Sequence, residues 1–174
     1  AEPYLIKNIN SQKVVSLILG GPNKYYSFDT GQLIKIFNQI KSNFVSKGYK
    51  IIVIPSMRTP KKSIELALKE MRSCGHVVNS VDKQAYLSAY ALANYIVVTC
   101  DSTSMISEAA TSGKPIFVAH MKEKKNNYRF KKFFKLFKEM GITRNLGEQV
   151  MSWKYNKFNE AERIAAIINS KLKN

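Results

Sequence analysis

Several residue types that mark particular classes of protein are scarce in this sequence. Only two cysteines are present, Cys74 and Cys100, and they do not form the C-x-x-C spacing of a zinc site. The two histidines, His76 and His120, are also far apart in sequence. We therefore expect no metal site and no cofactor. Both thiols are interpreted as small buried side chains in a reducing compartment.

Long apolar runs are missing as well. No stretch approaches the roughly 18 residues needed to span a bilayer. The first residues lack the basic and then apolar pattern of a secretory signal, and the chain does not begin with methionine, which suggests a boundary within a longer or processed chain. The sequence predicts a soluble, cytoplasmic protein and leaves peripheral attachment to a membrane open.

Acidic residues are few. The sequence has 12 Asp and Glu and 28 Lys and Arg, which gives a net charge of +16. Such an excess favours an anionic partner, either a nucleotide phosphate, an anionic lipid surface or nucleic acid. A generally lysine-rich composition of the source would produce the same excess. No recognisable nucleic-acid module is present, so nucleic acid is the least favoured of the three partners.

Short β-branched runs do recur along the chain, and a helical pattern follows each of them. The predicted strands are Val14–Leu19, Ile51–Ile54, Val77–Val78, Tyr95–Val98 and Pro115–Val118. Near-continuous apolar strands indicate burial on both faces, and strand-helix alternation indicates right-handed crossovers. We predict one α/β domain over residues 1–174, a Rossmann-like parallel sheet with helices on both faces.

Capping residues predict where the helices begin and end. Asp29-Thr30 caps the first helix and Lys47-Gly48 closes it. Thr59-Pro60 opens the second helix, and Cys74-Gly75 ends it. Further helices are expected over 83–93 and, on an amphipathic pattern that would close the domain, over 159–173.

Ligands of parallel α/β sheets bind beyond the carboxyl ends of the strands, so the loops after the strands are the candidate sites. Gly20 and Gly21 follow the first strand, where glycine permits a positive φ and a close backbone approach to a ligand. They do not form a G-x-G-x-x-G motif, and a plain turn remains the alternative. Arg58 follows the second strand and is expected either to clamp a phosphate or to pair with a carboxylate.

The segment after the fourth strand combines several features of an anion site. Asp101 and hydroxyl residues precede an apolar helix whose first N–H groups and dipole would favour a diphosphate near Ser102, Ser104 and Met105. Glu108 lies one helical turn beyond Ser104 on the same face, where its carboxylate would accept bonds from ribose hydroxyls. The alternative is an ordinary N-cap with a solvated or paired Glu108.

These residues also carry a resemblance to a known family. The sequence resembles the mitochondrial-fission "elongated mitochondria" family, whose bacterial members are predicted nucleoside-diphosphate-sugar enzymes. The matching positions are Ile96–Thr99, Asp101-Ser102, Ser104-Met105, Ser107–Ala109, Gly113–Pro115, Gly20-Gly21, Arg58–Pro60, Arg129-Phe130, Phe133, Gly141 and Thr143-Arg144.

The resemblance implies a two-domain GT-B protein in which this chain is the carboxyl-terminal, nucleotide-sugar-binding half. Its partners would be a nucleoside diphosphate sugar and an amino-terminal acceptor domain outside this sequence. By the same resemblance, Gly20 and Gly21 would approach the diphosphate. Ser102, Ser104 and Met105 would hold it, and Glu108 would bind the ribose. No catalytic base is identifiable, and Arg58 with helix N–H groups would stabilise the leaving diphosphate without a metal.

A basic, phenylalanine-rich segment over Lys122–Lys138 predicts an amphipathic helix, although its first part, Lys122–Asn127, looks loose and strongly polar. It would cover the core with its aromatic rings, contact an acidic partner or lie on an anionic membrane. The membrane alternative gives a rival function, that of a non-catalytic peripheral scaffold. A third possibility is a nucleotide-sugar epimerase-like domain. His120 follows a predicted strand and would either face the cleft or serve the structure.

Overall fold

A computed structural model describes residues 13–157 of the chain. Its strands are β1 (Val14–Leu19), β2 (Lys50–Pro55), β3 (Gly75–Val77), β4 (Tyr95–Thr99), β5 (Ile116–Ala119) and β6 (Thr143–Asn145). The helices are α1 (Thr30–Asn43), α2 (Lys61–Met71), α3 (Lys83–Leu92), α4 (Thr103–Ala110) and α5 (Tyr128–Glu139). The strands form one sheet of order β3-β2-β1-β4-β5-β6.

All neighbouring strands are parallel, which confirms the predicted α/β, Rossmann-like class. At the centre of the sheet, Ile18 of β1 is in register with Ile54 of β2 and with Val98 of β4. Every residue of β1 and of β4 is buried, as expected for strands covered on both faces. Right-handed crossovers that run first from β1 toward β3 and later from β4 toward β6 place helices on both faces.

The helix boundaries follow the capping signals with small shifts. Asp29 caps α1, and its carboxylate accepts a hydrogen bond from Gln32 N at 2.9 Å. Gly48 adopts a left-handed φ of 84° after a short 3₁₀ turn, as its place after the first helix predicts. The second helix ends at Met71, and a 3₁₀ turn leads into Gly75. A Cβ on Gly75 would collide with the backbone of Ile51 in the adjacent strand.

Two elements differ from the sequence-based expectation. The strand β6 was not predicted, because Thr143-Arg144-Asn145 contains no apolar run and is defined by its pairing with β5. The basic helix begins only at Tyr128, since Asn127 caps it and the strongly polar residues 122–127 form the loop before it. The helix expected over 159–173 lies outside the described residues.

The basic helix α5 is divided between core and solvent. Phe137 is buried, and Phe130, Phe133 and Phe134 pack partly buried against the core. Leu136 is exposed. The aromatic stripe therefore covers the core, one of the three roles expected for this segment. No helix in the part of the chain that the structure describes is long and apolar enough to cross a bilayer.

Candidate functional site

The candidate site lies where the order of the strands reverses. β1 has β2 on one side and β4 on the other, so the chain leaves β1 and β4 in opposite directions at their carboxyl ends. A crevice opens between the loops that follow such a pair of strands, and ligands of open α/β sheets bind there. Gly20-Gly21 follows β1 and Cys100-Asp101 follows β4, so both loops meet at this switch point.

A buried carboxylate joins the loops at this point. Asp101 is 3% exposed, and its Oδ2 accepts a hydrogen bond from Gly21 N at 2.9 Å and one from Arg58 Nη2 at 2.8 Å. The side-chain amide of Asn23 donates to the backbone oxygen of Asp101 at 3.1 Å. The second carboxylate oxygen, Oδ1, is buried and has no hydrogen-bond partner among the described residues. One side chain thus connects the loops after β1, β2 and β4.

The two glycines are needed for this packing, and neither adopts the positive φ that glycine permits. Glycines with positive φ occur in the described chain at 48, 113, 141 and 147, and Gly20 and Gly21 are not among them. A Cβ on Gly20 would collide with the Asp101 carboxylate, and one on Gly21 would collide with the backbone of Arg58. In the structure the glycines make room for protein atoms, because Asp101 and Arg58 occupy the space that a side chain would take. Their approach to a ligand stays a prediction.

Arg58 reaches the edge of the sheet from the loop after β2. Its ion pair with Asp101 is the carboxylate pairing expected as one of two alternatives. Because 44% of the Arg58 side chain remains exposed, part of its guanidinium stays accessible to solvent. Thr59 anchors the same loop, since its hydroxyl lies 2.9 Å from Leu19 O and 2.6 Å from Gly20 O.

The helix α4 begins immediately after Asp101. Ser102 is its N-cap, and the Ser102 hydroxyl accepts a hydrogen bond from Met105 N at 3.3 Å. Since the N–H of Met105 is used in this way, the first N–H groups without an intrahelical acceptor are those of Thr103 and Ser104. Ser104 is exposed, whereas the side chain of Met105 is buried. Ser102 therefore caps the helix, and the N–H groups of Thr103 and Ser104 are still left for an anion; we call these two groups the open start of α4.

Glu108 lies farther along α4 and meets a pair of tyrosines from α3. The hydroxyl of Tyr86 donates to Glu108 Oε2 at 2.8 Å and lies 2.7 Å from the hydroxyl of Tyr90. The two rings are 4.7 Å apart in an edge-to-face arrangement. Burial, reinforced by Tyr90 and Glu108, raises the pKa of Tyr86 far above its usual range, so the hydroxyl stays a donor.

The tyrosine pair was missed by reasoning from the sequence. Its signal was the spacing of four residues between Tyr86 and Tyr90, which puts both rings on one helix face. Nothing in the sequence pointed from that face toward Glu108. Among the residues that the structure describes, no group of three or more His, Cys, Asp or Glu side chains is arranged to hold a metal ion.

Comparison with known sequences gives consistent matches. A family model described as Mitochondrial fission ELM1 matches residues 5–172. The uncharacterized protein RP120 of Rickettsia prowazekii is 28% identical over 170 residues, 93% of this chain and 48% of that protein. The mitochondrial fission protein ELM1 of Arabidopsis thaliana is 32% identical over 122 residues, 67% of this chain and 28% of that protein. The chain spans about half the length, or less, of these relatives.

Solved structures share the fold at low sequence identity. The S. aureus MnaA–UDP complex superposes with a TM-score of 0.56 at 16% identity, over 99% of this chain and 48% of that one. UDP-GlcNAc 2-epimerase from Neisseria meningitidis, bound to UDP-GlcNAc, gives a TM-score of 0.52 at 14% identity, over 95% of this chain and 46% of that one. The Rossmann-like sheet is thus that of GT-B-like proteins.

Proposed function

The chain belongs to the Mitochondrial fission ELM1 family, and from that premise we propose that it is the nucleotide-sugar-binding half of a metal-independent, GT-B glycosyltransferase-like protein. The observation that carries the proposal is the open start of α4 at the strand-order switch point, with Arg58 beside it. The fold relatives hold UDP and UDP-GlcNAc, which supports a nucleoside diphosphate sugar as the ligand.

The proposed diphosphate position lies in front of the N-terminus of α4. There the N–H groups of Thr103 and Ser104 and the positive end of the helix dipole favour negative charge. Arg58 contributes a guanidinium that is already oriented by its bond to Asp101, and oriented donors stabilise a leaving diphosphate without reorganising. These groups together supply the charge that a divalent cation supplies in other transferases.

The proposed ribose position lies beside Glu108. A carboxylate accepts hydrogen bonds from two vicinal hydroxyls, and the bond from Tyr86 leaves further acceptor sites free on Glu108. The amino-terminal half of the protein, outside this sequence, would contribute the acceptor and the catalytic base. Gly20 and Gly21 would contribute by allowing the loops to pack closely around the crevice, and Ser102 by capping α4.

Calorimetric titration of the chain with UDP, GDP and CDP tests this proposal. At least one of them should bind, and Glu108→Gln should weaken that binding by roughly ten-fold through loss of charge-assisted bonds to the ribose. Glu65→Gln, which changes an exposed carboxylate on α2, is the matched control and should bind like the unaltered chain. Failure of all three nucleotides to bind a folded sample would refute the proposal.

A second candidate, a peripheral membrane scaffold, rests on exposed side chains of α5 and of its C-cap. Tyr128, Leu136 and Met140 are exposed, and so are Lys131 and Lys132. Apolar side chains flanked by lysines suit an anionic bilayer surface. Sedimentation with anionic and neutral vesicles tests it, since changing Lys131 and Lys132 together to Glu should abolish any binding to the anionic ones. Unchanged binding would remove the basis of this candidate.

The epimerase-like alternative is suggested by one fold relative, the UDP-GlcNAc 2-epimerase from Neisseria meningitidis. It predicts that the full-length protein changes the configuration of a nucleotide-sugar without an acceptor. Incubation with UDP-GlcNAc alone, followed by separation of the sugar products, distinguishes this activity from transfer. No change in the sugar would exclude epimerisation of that substrate.

A further inference from the structure

A cavity of about 390 Å³ lies on the same edge of the sheet, beyond the ends of β5 and β6. This volume is within the roughly 300–1,000 Å³ range of small-molecule pockets. His120 directly follows β5, Asn145 ends β6, and both line the cavity. We call it the His120 cavity. It is distinct from the crevice between β1 and β4, because its lining comes mainly from β5, β6, the loop after β5 and α5, with Tyr26 reaching it from the loop after β1.

The cavity has a basic wall. Lys131, Lys135 and Lys138 of α5 line it, and Glu123 is the single acidic side chain among the described residues of the lining. The Nζ of Lys138 lies 2.8 Å from a carboxylate oxygen of Glu148, within hydrogen-bonding distance. The Nζ atoms of Lys131 and Lys135 lie farther from their carboxylate partners, at 3.6 Å from Glu123 and 3.8 Å from Glu139. Surface pairs that are longer than a hydrogen bond contribute little energy. Lys131 and Lys135 therefore keep donors for an anionic ligand.

The side of the cavity at the strand ends offers neutral hydrogen-bonding groups. His120 Nε2 lies 2.9 Å from Asn145 Oδ1, and the tautomer with its proton on Nε2 makes this hydrogen bond and leaves Nδ1 as an acceptor. Desolvation and the charge of Lys138 lower the pKa of His120, while Asn145, Glu123 and Glu148 act in the opposite direction. A neutral imidazole of this kind suits a ligand hydroxyl.

An apolar surface completes the lining. The ring of Phe134 packs edge-to-face on His120 at 5.0 Å, and Val118 and Met121 lie beside them. Tyr26 reaches the cavity from the loop after β1, where Asn23 Oδ1 accepts from Tyr26 N at 2.8 Å. Because Asn23 also bonds Asp101, one loop adjoins both the cavity and the proposed nucleotide site.

We propose that the His120 cavity binds a second ligand, a hydroxylated anion of the size of a hexose phosphate. Lys131 and Lys135 would hold the anionic group, His120 would bond a hydroxyl, and Phe134 would contact the apolar face of the sugar. This second ligand is distinct from the acceptor, which the proposed function assigns to the amino-terminal half of the protein. The binding site itself rests on the cavity alone.

Calorimetry of the chain with glucose 6-phosphate, glucose and inorganic phosphate tests the proposal. Glucose 6-phosphate should bind more tightly than either of the others, because only it carries both the anion and the hydroxyls. Changing Lys131 and Lys135 together to Ala should weaken its binding by about ten-fold. The matched control, Lys47→Ala with Lys50→Ala, removes the same charge at the opposite edge of the sheet and should change nothing.

His120→Phe separates the two parts of the site. It should weaken the binding of glucose 6-phosphate and leave that of inorganic phosphate unchanged. Equal binding of glucose and glucose 6-phosphate, or equal losses in the lysine variant and its control, would overturn the proposal.

Repeating the titration with UDP present tests whether the two sites are separate. Glucose 6-phosphate should still bind at saturating UDP, whereas displacement by UDP would overturn the inference. If the chain binds UDP and no sugar phosphate, the inference fails while the proposed function stands. The reverse result supports the cavity and refutes the proposed function.

Discussion

The Asp101 carboxylate offers the sharpest test of how the site is built. Asp101→Ala removes the acceptor of the Gly21 N–H, and a hydrogen bond to a charged group is worth about 1.5–3 kcal/mol. The variant also frees Arg58, but because 44% of that side chain is exposed, water replaces the lost partner. The cost of an uncompensated buried charge therefore does not arise. The substitution also removes the buried, unpartnered Oδ1, which offsets part of the lost stability. We expect a net destabilisation of about 2 kcal/mol.

Urea unfolding of Asp101→Ala, Arg58→Ala and the double variant measures this effect and separates its parts. The double-mutant cycle should show a coupling free energy of roughly 0.5 kcal/mol or more between the two residues, as contacting residues do. The same cycle between Arg58 and Asp29, an exposed N-cap carboxylate, is the control and should be additive. Additive effects of Asp101 and Arg58, or an Asp101→Ala variant as stable as the unaltered chain, would refute the reasoning.

Three other perturbations test neighbouring features. Gly20→Ala should lower the free energy of unfolding by about 1–3 kcal/mol, because the new methyl collides with the Asp101 carboxylate. Gly31→Ala in α1, where a Cβ has open space apart from one contact at 3.4 Å, should instead be neutral or stabilising; equal urea midpoints for the two variants would contradict this. Burial raises the pKa of the Cys100 thiol to about 12, so in a Cys74→Ala background it should resist alkylation at roughly pH 8.5, the ordinary pKa of a thiol, until urea unfolds the chain. Rapid labelling of the native protein, followed by mass spectrometry, would contradict that burial. Tyr86→Phe removes the donor to Glu108 and should weaken UDP binding more than pyrophosphate binding, since only UDP has a ribose; equal calorimetric losses for both ligands would argue against the proposed role of Glu108.

The central strands were predictable because burial on both faces leaves a direct mark in the sequence. The run Val14–Leu19 coincides with β1, and Tyr95–Val98 lies within β4. β6 left no such mark, since an edge strand of three residues is defined by its partner β5. The start of the basic helix was ambiguous for another reason, because lysines continue back through the polar residues 122–127, which form a loop that ends at the N-cap Asn127.

The loops of the candidate site were predictable in position and not in their contacts. Strand ends and the polar segment after β4 placed these loops at one edge of the sheet, because parallel strands bring their carboxyl ends together there, but the strand order that makes the switch point was not predicted. The bond from Gly21 to Asp101 joins residues 80 apart in sequence, and that from Arg58 joins residues 43 apart. Local patterns do not contain such separations. The sequence around Gly20 and Gly21 suggested a contact with a ligand, because it does not reveal that Asp101 and Arg58 fill the space beside them.

These separations have a consequence for how the protein becomes competent to bind. The loops after β1, β2 and β4 meet at Asp101 only after the strands from all three regions have paired, and contacts so distant in sequence form slowly. A partly folded chain then presents no assembled crevice. Any nucleotide that recognises the crevice selects completely folded molecules and shifts the folding equilibrium toward them by mass action. Ligand binding would thus depend on the correct pairing of β1, β2 and β4.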